Sequence, residues 1–412
     1  LVEFINPKEF KLLIDEYHNF LKQYSFRNKA IDGVLAHFKE FRSYCFISAT
    51  PIPEVLKPTI FNGIPEHIAD WNEVDDITIY PYHTDKPYMI AAQFIKVYQT
   101  KGFLNVNGKE SKEAYFFINS VREIKDILKQ TQLTEDDYRI ICADNDKNRM
   151  TLKGYTISSS TDTSKKFNFI TSKSFEGVDF HSESGICFVV SNVQNRHTLV
   201  SIDMDIPQIA GRIRTKTNPF RNKIVHIFNT KPTDHYTTYE EMEHTIQDEI
   251  KAAQERADLL NSSNLSESAI KQQVSEIHKI GNESYLSYQD GKFVVNDMIG
   301  KLQLYSFLIT NVVYNSDKSL RDTYEQNKMI VTKGKWHIAP ERFVKDLIKE
   351  PTFRDLHKRY CEIMKNPMTF NLETIEIEHK YPILGRAYRK VGIQELKRLR
   401  TIKSIKLALG EI

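Results

Sequence analysis

The apolar run Phe10-Lys11-Leu12-Leu13-Ile14 ends in Asp15-Glu16-Tyr17-His18, and a second run, Tyr44–Ile47, ends in Ser48-Ala49-Thr50-Pro51. Each reads as a buried strand that carries polar side chains at its C-terminal end, where ligands bind in open α/β sheets. Paired carboxylates at that place suit phosphoryl chemistry: the first can hold Mg²⁺ and the second can orient or activate a water. The bland alternatives are a solvated Asp-Glu pair and a strand end capped by small hydroxyl residues.

Two later segments carry complementary groups. Phe167–Thr171 is an aromatic strand that runs into a hydroxyl-rich loop and then Gly177 and Asp179. Gly177 permits a backbone conformation that other residues resist, or a close approach to a ligand; the alternative is a glycine turn with Asp179 bonding its own backbone. Gln208-Ile209-Ala210-Gly211-Arg212-Ile213-Arg214 places two guanidinium groups near an amide on an expected helix, Ile206–Arg214. Guanidinium groups bind phosphate in bidentate fashion and stabilise charge on a transferring phosphoryl group. A basic surface turn paired with acidic neighbours is the alternative.

Hydrophobic spacing supplies elements to hold these residues. Leu12–Ile14, a helix over Asn28–Phe41 and Tyr44–Ile47 form a strand–helix–strand unit of a parallel sheet. A proline-containing link with one strand, Ile77–Tyr80, follows. A second α/β block then alternates helices at Met89–Thr100 and Ser120–Thr131 with strands at Ala114–Ile118, Tyr138–Ala143, Phe167–Thr171, Gly185–Ser191 and Lys223–Asn229. Tyr239–Leu260 is a long charged helix, Ser266 is placed to cap the next one, and the remainder is mostly helical. Tyr285, Tyr288, Tyr305, Phe307, Tyr314, Tyr324 and Trp336 read as core aromatics. The expected architecture is α/β: two parallel-sheet domains, over 1–88 and 89–232, followed by a mostly helical domain over 233–412.

The 412 residues are enough for two or three domains, and 40% hydrophobic content is ordinary for a globular chain. No apolar run has the length of a membrane span, so no membrane partner is expected. The four cysteines, Cys45, Cys142, Cys187 and Cys361, stand far apart in sequence. They read as buried reduced thiols of a cytoplasmic protein rather than a disulfide framework or zinc site. Net charge is only +3, but nine Lys/Arg stand between Lys380 and Ile412 against Glu395 and Glu411. That end reads as a basic amphipathic helix or helix pair in which Arg386, Arg389, Lys390, Lys397, Arg398, Arg400, Lys403 and Lys406 surround apolar residues and are placed to lie along phosphates, the first five as candidate binding residues. A solvated helix face and a partner-binding helix are the alternatives.

Taken in order, the four segments resemble the superfamily 2 helicases and translocases. Asp15–His18 is similar to the DExH form of their Walker B motif, Ser48–Thr50 to motif III, Thr171–Asp179 to motif V and Gln208–Arg214 to motif VI; Ala114–Asn119 stands where motif IV falls. The Gly-Arg-x-Arg ending resembles the phage, mobile-element and viral origin-binding branch. The resemblance implies two RecA-like domains with ATP and Mg²⁺ between them, the metal held by Asp15 and the attacking water positioned by Glu16. It implies that His18, Ser48 and Thr50 couple the nucleotide site to nucleic acid, that Thr171 contacts the strand, and that Gly177 and Asp179 touch nucleotide or strand. Gln208 would sense the γ-phosphate, and Arg212 or Arg214 would be the arginine finger. The implied activity is ATP-dependent unwinding of or translocation on nucleic acid, DNA rather than RNA, with replication or mobile-element partners.

Two departures qualify that expectation. The family reads Gln-x-x-Gly-Arg-x-x-Arg, whereas Arg214 comes one place early and Thr215 holds the expected position. The phosphate loop, Gly, four residues, then Gly-Lys-Ser/Thr, is not present. Gly102…Gly108-Lys109-Glu110 has the wrong spacing and a carboxylate where the metal-binding hydroxyl belongs, and reads as a hairpin turn at Asn107-Gly108. The loop is therefore expected upstream of Leu1, and the chain alone is expected to be inactive. A non-catalytic nucleic-acid-binding scaffold on a decayed motor and the motor subunit of a restriction system are the rival readings.

Overall fold

The computed structural model describes residues 6–69, 75–175, 177–232, 238–280, 284–289, 291–332, 353–365, 374, 377–378 and 380–411. The chain divides into two compact units, Leu1–Trp336 and His337–Ile412.

The first unit opens with strand β1 (Lys11–Asp15), short helix α1 (Asn19–Lys22), helix α2 (Tyr24–His37) and strand β2 (Ser43–Ile47). β1 and β2 pair in parallel, Lys11 opposite Ser43 and Asp15 opposite Ile47. That register sets Asp15 beside the end of β2. Leu12, Ile14, Tyr44 and Phe46 occupy the covered face, where Phe46 meets Phe38 at 5.2 Å and Phe61 at 5.0 Å between ring centroids. The opposite face corrects the expectation of fully buried strands. Leu13 is 64% and Ile47 40% exposed, and Cys45 is exposed as well. Side chains alternate across a strand, and the packed helices cover one face only.

The next block contains β3 (Thr78–His83), α3 (Pro87–Lys101), β4 (Leu104–Val106), β5 (Lys109–Ser111), β6 (Glu113–Phe117), α4 (Val121–Thr131), β7 (Tyr138–Ile141), α5 (Asp146–Thr151), β8 (Phe167–Ile170), β9 (Gly185–Ser191), α6 (Asp205–Ala210) and β10 (Lys223–Phe228). After it come the capped helix α7 (Tyr239–Ser262), α8 (Glu267–Ile280), the hairpin β11 (Leu286–Gln289) and β12 (Lys292–Val295), α9 (Asp297–Phe307), α10 (Asp317–Gln326) and the short strand β13 (Ile330–Val331). Seven strands form one sheet in the order β13-β3-β10-β9-β6-β8-β7, and every pairing in it is parallel. Its central strands are mostly apolar, as a parallel sheet buried on both faces requires; all seven residues of β9 are buried, Ser191 included, and the polar Asn168 of β8 and His226 of β10 are buried as well. On one face Phe116 stacks on Phe188 at 4.7 Å and on Phe169 at 5.5 Å. On the other, Tyr115, Phe117, Val189 and Ile224 pack with Ile206, Ile209, Tyr314 and Tyr324.

Several boundaries move. The strand expected at Ile77–Tyr80 is β3, and it pairs with β10, Thr78 opposite Lys223, so it belongs to the seven-stranded sheet rather than to the β1–β2 layer. Helix α6 stops at Ala210, leaving Arg212 and Arg214 beyond it. Asn107 and Gly108 do form a hairpin turn, both with positive φ, between β4 and β5. Residues 239–332 pack with the sheets: Met298 and Ile299 lie against Tyr24 and Ile31, whereas Tyr314 and Tyr324 lie against the seven-stranded sheet. Between these two groups of contacts the chain passes through a π-helical turn, Leu308–Val312. Trp336 lies outside the described residues.

The second unit is built on α11 (Phe353–Ile363), α12 (Pro382–Leu396) and α13 (Ile402–Leu409). They close around Tyr360, Leu384, Ala387, Leu396 and Ile405.

Candidate functional site

Asp15 ends β1, and the chain turns sharply after it. Glu16 takes φ 52°, a left-handed conformation uncommon outside glycine, and its N–H donates to Asp15 Oδ1 at 2.9 Å. The turn buries His18 completely and leaves Glu16 half-buried. The parallel register then brings the end of β2 alongside. His18 Nδ1 lies 2.7 Å from Ser48 Oγ and 3.2 Å from Glu16 Oε2. Ser48 Oγ donates to Glu16 Oε2 at 3.3 Å and accepts from Thr50 N at 3.0 Å. These bonds are mutually consistent when His18 carries its proton on Nδ1 and donates it to Ser48.

The decisive contact crosses from one sheet layer to the other. Gln208 Nε2, on α6, lies 3.3 Å from both carboxylate oxygens of Glu16 and 3.2 Å from Thr50 Oγ1. Gln208 is buried, and its own carbonyl accepts from Arg212 Nη2 at 3.3 Å, which fixes the orientation of the amide. Arg212 is buried as well. Its Nε donates to Gln208 O at 2.8 Å and its Nη1 to Val178 O at 3.2 Å. Arg214 is half exposed and donates to Asp179 Oδ1 at 2.8 Å. Backbone bonds Phe180 N to Arg212 O (2.8 Å) and Arg214 N to Phe180 O (2.9 Å) hold these two segments together. Gly177 takes φ 72°, with no atom within 4 Å of a Cβ built on it.

The structure therefore brings together Glu16, His18, Ser48, Thr50, Gln208, Arg212, Asp179 and Arg214 in one continuous set of polar contacts, with Asp15 at its margin. Thr171 lies apart from this set. It is buried, and its hydroxyl donates to Ile141 O at 3.4 Å, a bond that belongs to the sheet. In the second unit, three of the five predicted phosphate-binding residues carry carboxylates: Arg386 with Glu411 at 2.9 Å, Arg398 with Glu395 at 3.2 Å and Arg389 with Glu378 at 3.9 Å. Lys390 donates to Leu409 O at 2.7 Å, tying α12 to the end of α13. Lys397 makes no such bond among the described residues.

Sequence reasoning missed one ion pair at the same junction. Lys22 Nζ of α1 meets Asp205 Oδ1 of α6 at 2.5 Å, with both side chains largely buried. Asp205 Oδ2 also accepts from Ser201 N at 2.7 Å. The available signal was Asp205 at the start of a helix, where a carboxylate complements the dipole.

Other polar groups make poor reaction centres. Ser191 Oγ, His226 Nε2 and Tyr314 Oη form a nucleophile-like cluster, but all three residues are sealed in the core. Burial lowers the His226 pKa to about 3 and pushes the Cys187 thiol up to about 12 and that of Cys142 to about 11. An open depression of about 300 Å³ beyond β7, bordered by Asp144, Arg149, Lys153 and Tyr155, includes none of the site residues. Among the described residues no three His, Cys, Asp or Glu side chains gather as a metal cage. A nucleotide-bound Mg²⁺ does not need one, because it is held by one or two carboxylates with phosphates and waters. Asp15 fits that role, whereas the backbone cradle for the phosphates has no counterpart in the sequence. No protein-family model matches the chain, and no curated protein matches it.

Proposed function

We propose that this chain carries part of the nucleotide site of a nucleic-acid motor, an ATP-dependent helicase or translocase of superfamily 2 acting on DNA. The observation that carries the reading is the bond from Gln208 to Glu16. An acidic pair at the end of one parallel strand meets, across two sheet layers, a glutamine oriented by an arginine. A site that hydrolyses a triphosphate between two RecA-like bodies needs that pairing of a water-positioning carboxylate with a group able to report on the γ-phosphate. Chemically, Glu16 orients water, Asp15 offers an oxygen to Mg²⁺, and Ser48 and His18 hold Glu16 in place. Bound ATP and Mg²⁺ supply the reactive phosphoryl group and its charge neutralisation. Arg212 acts as the positioning residue for Gln208. Arg214, half exposed, is the arginine with access to an incoming phosphate, and it must first leave Asp179.

The test is ATP turnover by the natural full-length protein, with duplex DNA present. Removing a positioned base typically costs about 10²–10⁴ in rate, so Glu16→Gln should fall by that factor while still binding DNA. Turnover retained in Glu16→Gln would refute the role given to Glu16. DNA binding without any nucleotide turnover in the unaltered protein would favour the decayed-motor reading.

A further inference from the structure

The basic end of the chain carries a feature that its composition alone did not locate. Lys397, Arg400, Lys403 and Lys406 recur every third residue, from the end of α12 through the connecting turn and along α13. Arg400, Lys403 and Lys406 are exposed and Lys397 is half-buried. None of the four has a carboxylate partner among the described residues. The nearby carboxylates are already engaged, Glu378, Glu395 and Glu411 each with a different arginine.

The turn that presents them is well defined. Thr401 and Ser404 form a reciprocal capping box that starts α13, and Ile405 anchors that helix in the core at 0% exposure. Lys390 and Arg386 fasten its far end through Leu409 O and Glu411. On α13, Lys403 and Lys406 are neighbours on one face, and like charges so placed slightly destabilise a helix. An ordinary solvated face interleaves signs, as α7 does with Glu240, Glu241, Lys251 and Arg256.

We propose that Lys397, Arg400, Lys403 and Lys406 form a surface that tracks the phosphate backbone of duplex nucleic acid without reading its sequence. Of the five candidate binding residues only Lys397 belongs to it: Arg386, Arg389 and Arg398 pair with carboxylates and Lys390 bonds Leu409 O, whereas Arg400, Lys403 and Lys406 come from the wider basic set that the sequence showed. A membrane surface fits less well. An interfacial helix needs a continuous apolar face, whereas Ile402 (39% exposed) and Leu407 (68% exposed) are the large apolar side chains that α13 exposes.

The surface does not depend on nucleotide chemistry, so its test is separable from that of the motor. The experiment measures binding of the 412-residue chain, without nucleotide, to labelled DNA and RNA duplexes of unrelated sequence between 50 and 200 mM salt. Each neutralised phosphate contributes about 0.9 to the slope of log affinity against log salt. Changing all four residues to Gln should lower the slope by about 3–4 and abolish about 10²-fold of the salt-dependent loss over that range. The double variant Lys403→Gln/Lys406→Gln should show about half that change, and it stands in if the quadruple variant misfolds by circular dichroism. A comparison variant, Arg386→Gln/Arg389→Gln/Arg398→Gln, should change the slope by less than about 1. Equal effects of the two sets would overturn the proposal in favour of net charge. An unchanged duplex slope, with lost binding to vesicles rich in phosphatidylserine, would overturn it in favour of a membrane. Equal slopes on DNA and RNA duplexes support backbone tracking, whereas loss confined to one DNA sequence contradicts it.

Discussion

Lys22→Met offers the most direct test of how the two sheet layers are held in register. Lys22 Nζ sits 2.5 Å from Asp205 Oδ1, with side chains 15% and 8% exposed. Methionine keeps the length and the apolar stem but removes the charge. Breaking a buried pair by deleting one partner costs about 3–5 kcal/mol, because the remaining ion is left uncompensated. Asp205 keeps its bond from Ser201 N, so the expected loss falls below that range, at about 2–3 kcal/mol. Asp205 opens the helix that carries Gln208, and the loss should therefore be felt as local opening of α6. At about 1.4 kcal/mol per factor of ten, amide hydrogen exchange over Asp205–Ala210 should accelerate about 30- to 150-fold. Adding Asp205→Asn removes the stranded charge, and exchange in the double variant should return to within about tenfold of the unaltered protein. Exchange in Lys22→Met within threefold of the original would refute the reasoning, as would a double variant that opens as fast as the two single effects combined.

Two further outcomes follow from the same geometry. His226 is buried neutral with its pKa lowered to about 3, against an ordinary value of 6.5. The unfolded chain binds more protons between those values, so stability is fully present above about pH 6.5 and is lost as pH falls toward about 3, at up to about 1.4 kcal/mol per pH unit. Urea midpoints measured across that range should show this slope in the unaltered chain and lose it in His226→Gln; parallel curves would count against it. Gly177→Ala meets no atom within 4 Å but must hold φ 72°; the cost should be about 1–2 kcal/mol, while Gly177→Asn, which tolerates that region, should cost less. Equal losses in the thermal midpoint would count against a backbone requirement for glycine at this position.

Local patterns in this chain were legible where a single run of residues sets the outcome. The apolar strands Leu12–Ile14, Ala114–Ile118 and Gly185–Ser191 were found within a residue or two, as was the Ser120-capped helix α4. The sequence Gln289-Asp290-Gly291-Lys292 carried a hairpin signal that the general helical pattern of this region obscured, and β11 and β12 flank it. β13 is two residues long, too short for any periodicity. The placement of β3 was not legible for a different reason. Its partner, β10, lies far along the chain, and nothing in Thr78–His83 distinguishes one parallel sheet from another.

The site divides along the same line. The order of the acidic, hydroxyl and arginine segments could be read, but not which arginine does what. Arg212 and Arg214 differ by two positions, yet one is buried against Gln208 and the other is held at the surface by Asp179. Extended backbone about the Phe180–Ile213 bridge sets residues 212 and 214 on the same side, and both approach Asp179 Oδ1, at 3.8 and 2.8 Å. What separates them is burial, 8% exposure for Arg212 against 48% for Arg214, which spacing alone does not reveal. The burial of Arg212 against Gln208 has a mechanical consequence. The chain of contacts Glu16–Gln208–Arg212 runs beside the Lys22–Asp205 pair, and both link α1 and its strand to α6. Any movement that separates Glu16 from Gln208 by more than a hydrogen-bond length must also strain Lys22–Asp205. One of the covalent connections between the layers, beside residues 48–77 and the segment from β10 to α7, runs through α9 and the π-helical turn Leu308–Val312. A π-helical turn departs from the regular α-helical ladder, and sharp helix kinks occur at such turns. The arrangement thus concentrates resistance to opening at the buried Lys22–Asp205 pair beside the Glu16–Gln208 contact.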